Sequence, residues 1–181
     1  MIPDVRPPVA EAVFGYGSLV WRPGFEPAGR GLATLPDHAR RFWQASHDHR
    51  GTPAAPGRVV TLVPLPGASC EGLVLGLPRA GREALLAALD ERERDGYART
   101  LVRPRLPDGR TVEAVTWVAA EGNPSWAGDD PDVAALIAER SGPSGRNADY
   151  LFELVRSLRA LGVRDPYLDA LERDVRARLR R

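Results

Sequence analysis

Apolar and polar positions divide the chain into an early part of short apolar runs and a late part of helical stripes. Residues 13–16 are apolar and aromatic and run into Gly17 and Ser18, the pattern of a strand ending in a tight turn. Residues 41–46 and 59–63 read as two more strands, separated by a Gly- and Pro-rich loop at 48–57. Residues 71–77 form another apolar run. Residues 100–105 and 111–119 read as a strand pair turning at Pro107, Asp108 and Gly109. Helical spacing then takes over. A helix from Pro78 to about Glu93 carries Leu85, Leu86 and Leu89, and Pro131 opens a second that runs to about Arg140. Residues 150–161 place Leu151, Leu154, Val155, Leu158 and Leu161 on one face, with Gly162 as the stop. Asp165 and Pro166 open a last helix striped by Leu168, Leu171, Val175 and Leu179. Strands first and helices last predict an α+β fold, and no linker divides it, so residues 1–181 are expected to form one domain. The Pro-rich residues 1–10 are expected to be a flexible lead.

Composition narrows the classes. Hydrophobic residues make up 43% of the 181, enough for a single core. No stretch reaches the ~18 consecutive apolar residues of a membrane helix, and residues 1–10 lack an apolar signal region. The single cysteine, Cys70, excludes an intrachain disulfide and a Cys-rich zinc site. A cytoplasmic setting is the expectation. With 25 basic and 24 acidic residues, the basic ones all arginine, the chain lacks the excess of a general nucleic-acid binder. The arginines near the C-terminus alternate with Glu172 and Asp174 and read as a solvated helix end. With no heptad seam in view, a monomer is expected.

Four stretches hold candidate chemistry. Phe14-Gly15-Tyr16-Gly17-Ser18-Leu19-Val20-Trp21 is either a plain strand-end turn or a turn whose free N–H groups bind an anion or an oxyanion. Ser18 lacks the surroundings of a nucleophile elbow. Residues 42–52 contain His47, Asp48 and His49; without further ligands these are a weak metal motif, and no metal is expected. Arg50 and Arg58 nearby are candidates for a carboxylate pocket. Residues 89–97 hold Asp90, Glu91, Glu93 and Asp95 with Arg92 and Arg94, a run that ordinarily means a solvated helix end; its spacing singles out no carboxylate. Residues 141–151 form a Gly/Pro loop leading into a helix, with Asn147 and Asp149 as candidate caps and Tyr150 as a candidate pocket residue.

Taken in order, these stretches resemble the ChaC family of γ-glutamylcyclotransferases that act on glutathione. The family's F-G-Y-G-S-L-x-W segment matches Phe14 to Trp21, and R-R-F-W-Q-x-S-x-D-H-R-G-x-P matches Arg40 to Pro53. Pro56 to Val63 matches the next segment without a gap. Leu89, Asp90, Arg92, Glu93, Gly96 and Tyr97 fit L-D-x-R-E-x-x-G-Y, and Gly142 to Gly145, Asn147 and Tyr150 to Leu154 fit the late motif. The resemblance implies a compact α+β fold around a small mixed β-barrel with flanking helices. It implies conversion of glutathione to 5-oxoproline and cysteinylglycine, without metal or cofactor. Its Y-G-S-L loop, here Tyr16, Gly17, Ser18 and Leu19, would cradle the γ-glutamyl group, and Glu93 would be the acid and base. Glu91 falls at a variable position. The chain departs from the family at Gly72 to Leu77, where a tyrosine and an arginine are missing, and at Asp95, where a glycine is usual. If that strand recognises cysteinylglycine, other γ-glutamyl amino acids or amines become the alternative substrates, and a non-catalytic γ-glutamyl-binding module is the rival of another class. For Glu93 to work as a base, burial must raise its pKa, so Arg92 and Arg94 are expected to point away.

Overall fold

Two long strands frame the molecule: β2 (Arg30–Ser46) pairs antiparallel with β3 (Gly57–Gly76), Arg30 lying opposite Leu75 and Ser46 opposite Gly57. The computed structural model describes residues 10–180. Most of the expected flexible lead therefore lies outside the described residues, though Ala10 itself is buried. The runs at 59–63 and 71–77 are one strand, not two. Pro64 and Pro66 fall where the register shifts between Pro36 and His38, and Asp37 accepts the Gly67 N–H at 2.8 Å. The irregularity bends the hairpin without ending it.

β1 (Ala12–Gly15) lies antiparallel to β3 and parallel to β5 (Ala114–Ala119), which pairs antiparallel with β4 (Tyr97–Val102). The order is β2-β3-β1-β5-β4, a mixed sheet. The expected pair at 100–119 is present, with its ends displaced and its turn closed by the Gly109 N–H on the Leu106 carbonyl at 2.9 Å. The sheet is open, which corrects the expected barrel. Beyond β4 no further ladder forms on β2: the β-bridges there are single ones, Thr34 with Arg105 and Gln44 with Trp126. Pro104 has no N–H to donate, so β4 cannot continue as a closing ladder.

Among the described residues there are four α-helices, α1 (Arg82–Arg92), α2 (Val133–Glu139), α3 (Asn147–Ala160) and α4 (Pro166–Leu179); α2 and α3 pack on β3, and α4 packs on both of them. A two-stranded ribbon, β6 (Ser141–Gly142) with β7 (Gly145–Arg146), precedes α3. α3 buries Leu151, Leu154, Val155 and Leu158 and stops at Gly162, whose φ of 78° suits glycine. α4 is capped by the Asp165 carboxylate, which accepts the N–H groups of Tyr167 and Leu168.

One buried charge joins these parts. The Arg40 side chain is fully buried in β2, donating from Nε to the Tyr16 carbonyl (2.7 Å), from Nη1 to Asp165 (2.7 Å) and from Nη2 to the Glu71 carbonyl (2.6 Å). Arg40→Met would strand the Asp165 carboxylate and two carbonyls. The expected loss is about 3–5 kcal/mol of unfolding free energy in urea melts. A loss under about 1 kcal/mol would show that Arg40 does not hold the elements together.

Candidate active site

The charged run after Leu89 has a buried side and a solvated side. Asp90 accepts hydrogen bonds from Arg99 Nε and Trp117 Nε1, both at 2.9 Å, so the last turn of α1 is fixed to β4 and β5. The Arg99 guanidinium holds the Asp90 carboxyl below the usual carboxylate range. Arg92 donates to the Pro23 carbonyl and to Ser18 Oγ, each at 3.1 Å. Glu91 and Arg94 pair with each other at 2.7 Å on the exposed side. Glu93 ends the helix, its N–H on the Leu89 carbonyl at 2.9 Å.

The Glu93 carboxyl group therefore faces inward. Oε1 is buried and accepts no hydrogen bond; Arg92 Nε lies 3.2 Å away without the alignment that a bond requires. Burial raises the Glu93 pKa above the ordinary glutamate value, while the charges of Arg92 and His49 hold it back. The expectation that Arg92 points away is thus wrong, although burial still prevails. After Glu93 the chain reverses through Asp95 (φ 77°) and Gly96 (φ 91°). Asp95 adopts this strained backbone with support: its carbonyl accepts from Gln44 Nε2 (2.6 Å) and its carboxylate from Ser125 Oγ (2.7 Å).

Glu93 opens on a cavity of about 430 Å³ whose walls include Ser18, Trp21, Arg22, Arg50, Tyr97 and Tyr150. A narrow cleft of about 30 Å³ lies beside it, formed by Tyr16, Gly17, Ser18 and Leu19; Glu93, Tyr97 and Tyr150 face both spaces. Ser18 begins a short 3-10 turn (Ser18–Val20), whose first N–H groups have no partner within the turn. At Gly17 a Cβ would lie 2.9 Å from Val60 Cγ2 and 3.2 Å from the Tyr150 hydroxyl, so a larger residue would push on both. Tyr16 turns its hydroxyl away, donating to the Trp117 carbonyl at 2.6 Å.

The opposite wall comes from the β2–β3 loop and α3. Arg50 is held by its N–H on Ser46 Oγ (3.0 Å) and by Nη1 on the Arg146 carbonyl (3.2 Å), and its guanidinium lies over the Tyr150 ring. Tyr150 packs edge-on against Trp21 and Phe42. Burial first, then the Glu93 charge, raise its phenol far above the usual range, so it stays protonated and able to donate. The loop is joined to the β6–β7 ribbon by the Ser144 N–H on the His49 carbonyl (3.0 Å). There Gly51 and Gly142 approach so closely that a Cβ on Gly142 would collide with the Gly51 backbone.

Other expected residues lie elsewhere. Arg58 is spent on Asp130 at 3.2 Å and does not line the cavity. Asn147 is not a helix cap: its side chain accepts from the Arg58 N–H (2.6 Å) and donates to the Arg58 carbonyl (2.7 Å), anchoring β3 to α3. His47 faces Asp95 and His49 faces Ser144, and no group of three His, Cys, Asp or Glu side chains suited to a metal exists among the described residues. None of residues 72–77 lines the cavity; Leu75 is buried between Val13 and Arg30 in the sheet. Tyr97, which donates to the Val60 carbonyl at 2.5 Å, and Trp21 and Arg22 were not singled out from sequence; Tyr97 and Trp21 stand inside matched motifs.

An open mixed sheet with this site on it is the γ-glutamylcyclotransferase fold. The crystal structure of a yeast γ-glutamyl cyclotransferase specific to glutathione superposes with a TM-score of 0.88 at 28% identity, covering 94% of this chain and 97% of that one. A structure described as a γ-glutamyl cyclotransferase shares the fold at a TM-score of 0.58 and 16% identity. The sequence profile of ChaC-like proteins matches residues 12–178, and the chain belongs to the ChaC family. Among curated relatives, the glutathione-specific γ-glutamylcyclotransferase of Escherichia coli is 37% identical over 88% of this chain and 70% of its own length. Glutathione-specific γ-glutamylcyclotransferase 1 of Danio rerio is 34% identical over 93% of this chain and 90% of its own length.

The raised Glu93 pKa has a consequence for stability. The folded state prefers the protonated acid, so this group's contribution is fully present below the unfolded pKa and is lost as pH rises through the folded one. At pH 7 the buried carboxylate opposes folding. Glu93→Gln should therefore melt at a higher temperature than the wild type at pH 7, with the gap closing below about pH 4.3. A variant that melts lower at pH 7, by an amount independent of pH, would contradict this burial account.

Proposed function

We propose that this protein is a glutathione-specific γ-glutamylcyclotransferase in which Glu93 is the general acid and base. The observation that carries the assignment is the Glu93 carboxyl group, buried, with one oxygen free of hydrogen bonds and facing a cavity of substrate size. The names of the relatives supply the substrate.

In this reading the reaction is intramolecular. The α-amine nitrogen of the γ-glutamyl group forms a bond to its own γ-carbonyl carbon, and the bond from that carbon to the cysteine nitrogen breaks. The products are 5-oxoproline and cysteinylglycine, and no water is consumed. The cavity's main task is to fold the substrate so that the amine meets the carbonyl. Glu93 takes the proton that silences the α-ammonium and returns one to the leaving nitrogen. Its raised pKa brings the carboxylate closer to the amine in basicity and makes the acid a competent donor. The γ-glutamyl group lies in the larger cavity against Ser18 and Glu93, beside the narrow cleft of Tyr16, Gly17 and Leu19, with the N–H groups at the start of the 3-10 turn available to a carboxylate or an oxyanion. Arg92 links the two halves, holding Ser18 Oγ while standing beside Glu93. Tyr150 and Arg50 orient the substrate from the opposite wall. The altered strand at 72–77 lies off the cavity, which removes the main argument for a changed substrate. A monomer acting in the reducing cytoplasm, where glutathione is plentiful, completes the reading.

Incubation with reduced glutathione, without added metal, should give 5-oxoproline and cysteinylglycine in equal amounts by mass spectrometry. Glu93→Gln should lower turnover by ~10²–10⁴. Release of free glutamate, or retention of more than about a tenth of turnover in Glu93→Gln, would overturn the assignment.

A further inference from the structure

Two of the four arginines that line the cavity already have a carboxylate. Arg92 stands beside Glu93, Arg94 pairs with Glu91, and Arg58 pairs with Asp130 outside the cavity. Arg22 and Arg50 differ: both line the cavity, and neither forms an ion pair with a carboxylate among the described residues. Arg50 uses one N–H on the Arg146 carbonyl and lies over Tyr150. Arg22 is fixed through its backbone, its N–H on the Ser18 carbonyl at 2.8 Å, directly after the 3-10 turn. Its side chain is exposed, which puts it on the solvent-facing rim.

The two guanidiniums face the same cavity. Burial, chiefly, and the Arg22 charge weaken the hold of Arg50 on its proton, against the opposing effects of Tyr150 and Asp149. The cavity also holds Asp48, Glu93 and Asp95, but none of them pairs with Arg22 or Arg50; two guanidiniums lining one cavity without a carboxylate partner suit an anionic group carried in by the ligand, and the planar guanidinium fork matches a carboxylate. The reacting end of the substrate has its own partners at Glu93 and Ser18, beside the inner cleft. The rim is left for the far end.

We propose that Arg22 and Arg50 form a two-guanidinium clamp for the substrate's C-terminal carboxylate, so that the enzyme selects γ-glutamyl peptides with a free C-terminus over γ-glutamyl amines and amides. This rests on the cyclotransferase reading above. Arg22 is then a specificity-determining residue contributed by the segment that also borders the γ-glutamyl group. One stretch of chain, residues 16–22, would read both ends of the substrate.

The test compares glutathione with glutathione amide, in which the glycyl carboxylate is a neutral carboxamide, for the wild type, Arg22→Gln and Arg22→Lys. The wild type should favour glutathione by about tenfold in kcat/KM, chiefly through KM. Arg22→Gln should bring that ratio most of the way to one, and Arg22→Lys, which keeps the charge, should retain part of it. A wild type that turns over both compounds equally well would overturn the clamp while leaving the cyclotransferase reading in place. So would an Arg22→Gln that loses the same factor on both. Formation of 5-oxoproline from neither compound by the wild type would remove the underlying reading, and the clamp with it.

Discussion

The Arg40 guanidinium is the point on which the other parts of the structure depend. A charge this deep is tolerated only if each donor finds an acceptor, and the acceptors come from three places: the Tyr16 carbonyl at the end of β1, the Glu71 carbonyl in β3, and the Asp165 carboxylate that caps α4. The Tyr16 carbonyl opens the turn that forms the inner cleft. The same contact that satisfies a buried cation therefore sets where the Gly17–Ser18 turn begins. From there Ser18 receives Arg92, and Arg92 stands beside Glu93. Core and site are joined through a short chain of polar contacts, with the aromatic packing of Tyr150 against Phe42 and Trp21 enclosing them.

Glu93 gains its character from what its neighbours do. Asp90 is taken by Arg99 and Trp117, and Glu91 by Arg94. Four acids in the six residues from Asp90 to Asp95 would ordinarily be equivalent surface charges. Here the helix end is pinned by Asp90, so the position three residues later turns into the cavity. Desolvation then raises the Glu93 pKa more than Arg92 and His49 lower it. The upward shift makes the ionised group a stronger base than a solvated glutamate, which taking a proton from the substrate requires.

Much of the fold was legible because its signals are local. The α3 stripe, its stop at Gly162 and the Asp165-Pro166 start of α4 are all written in adjacent residues. The first half of β2 was not legible, since Pro36 and Asp37 look like a loop and are a bend within a strand whose pairing comes from a partner far along the chain. Arg40 and Arg41 read alike in sequence, yet one is buried while the other lies over Tyr167. Asn147 stands where a cap would, but β3 offers it a backbone to bridge. The barrel was an inference from resemblance, and the open sheet follows from Pro104 and the single bridges beyond β4. At the site, spacing alone could not separate Glu93 from Glu91. The matched motif made the choice, and the contacts of Asp90 and Arg92 supply the physical reason for it.

The central claim is that a buried Glu93, ionised, is the base that starts the reaction. The pH dependence of kcat/KM for glutathione tests it most directly, because that quantity reports the essential groups of the free enzyme. The account predicts that activity falls on the acid side with an apparent pKa clearly above the ~4.3 of a solvated glutamate, and that the residual rate of Glu93→Gln lacks this limb. An acid limb at or below that value, or one that survives the substitution, would contradict it.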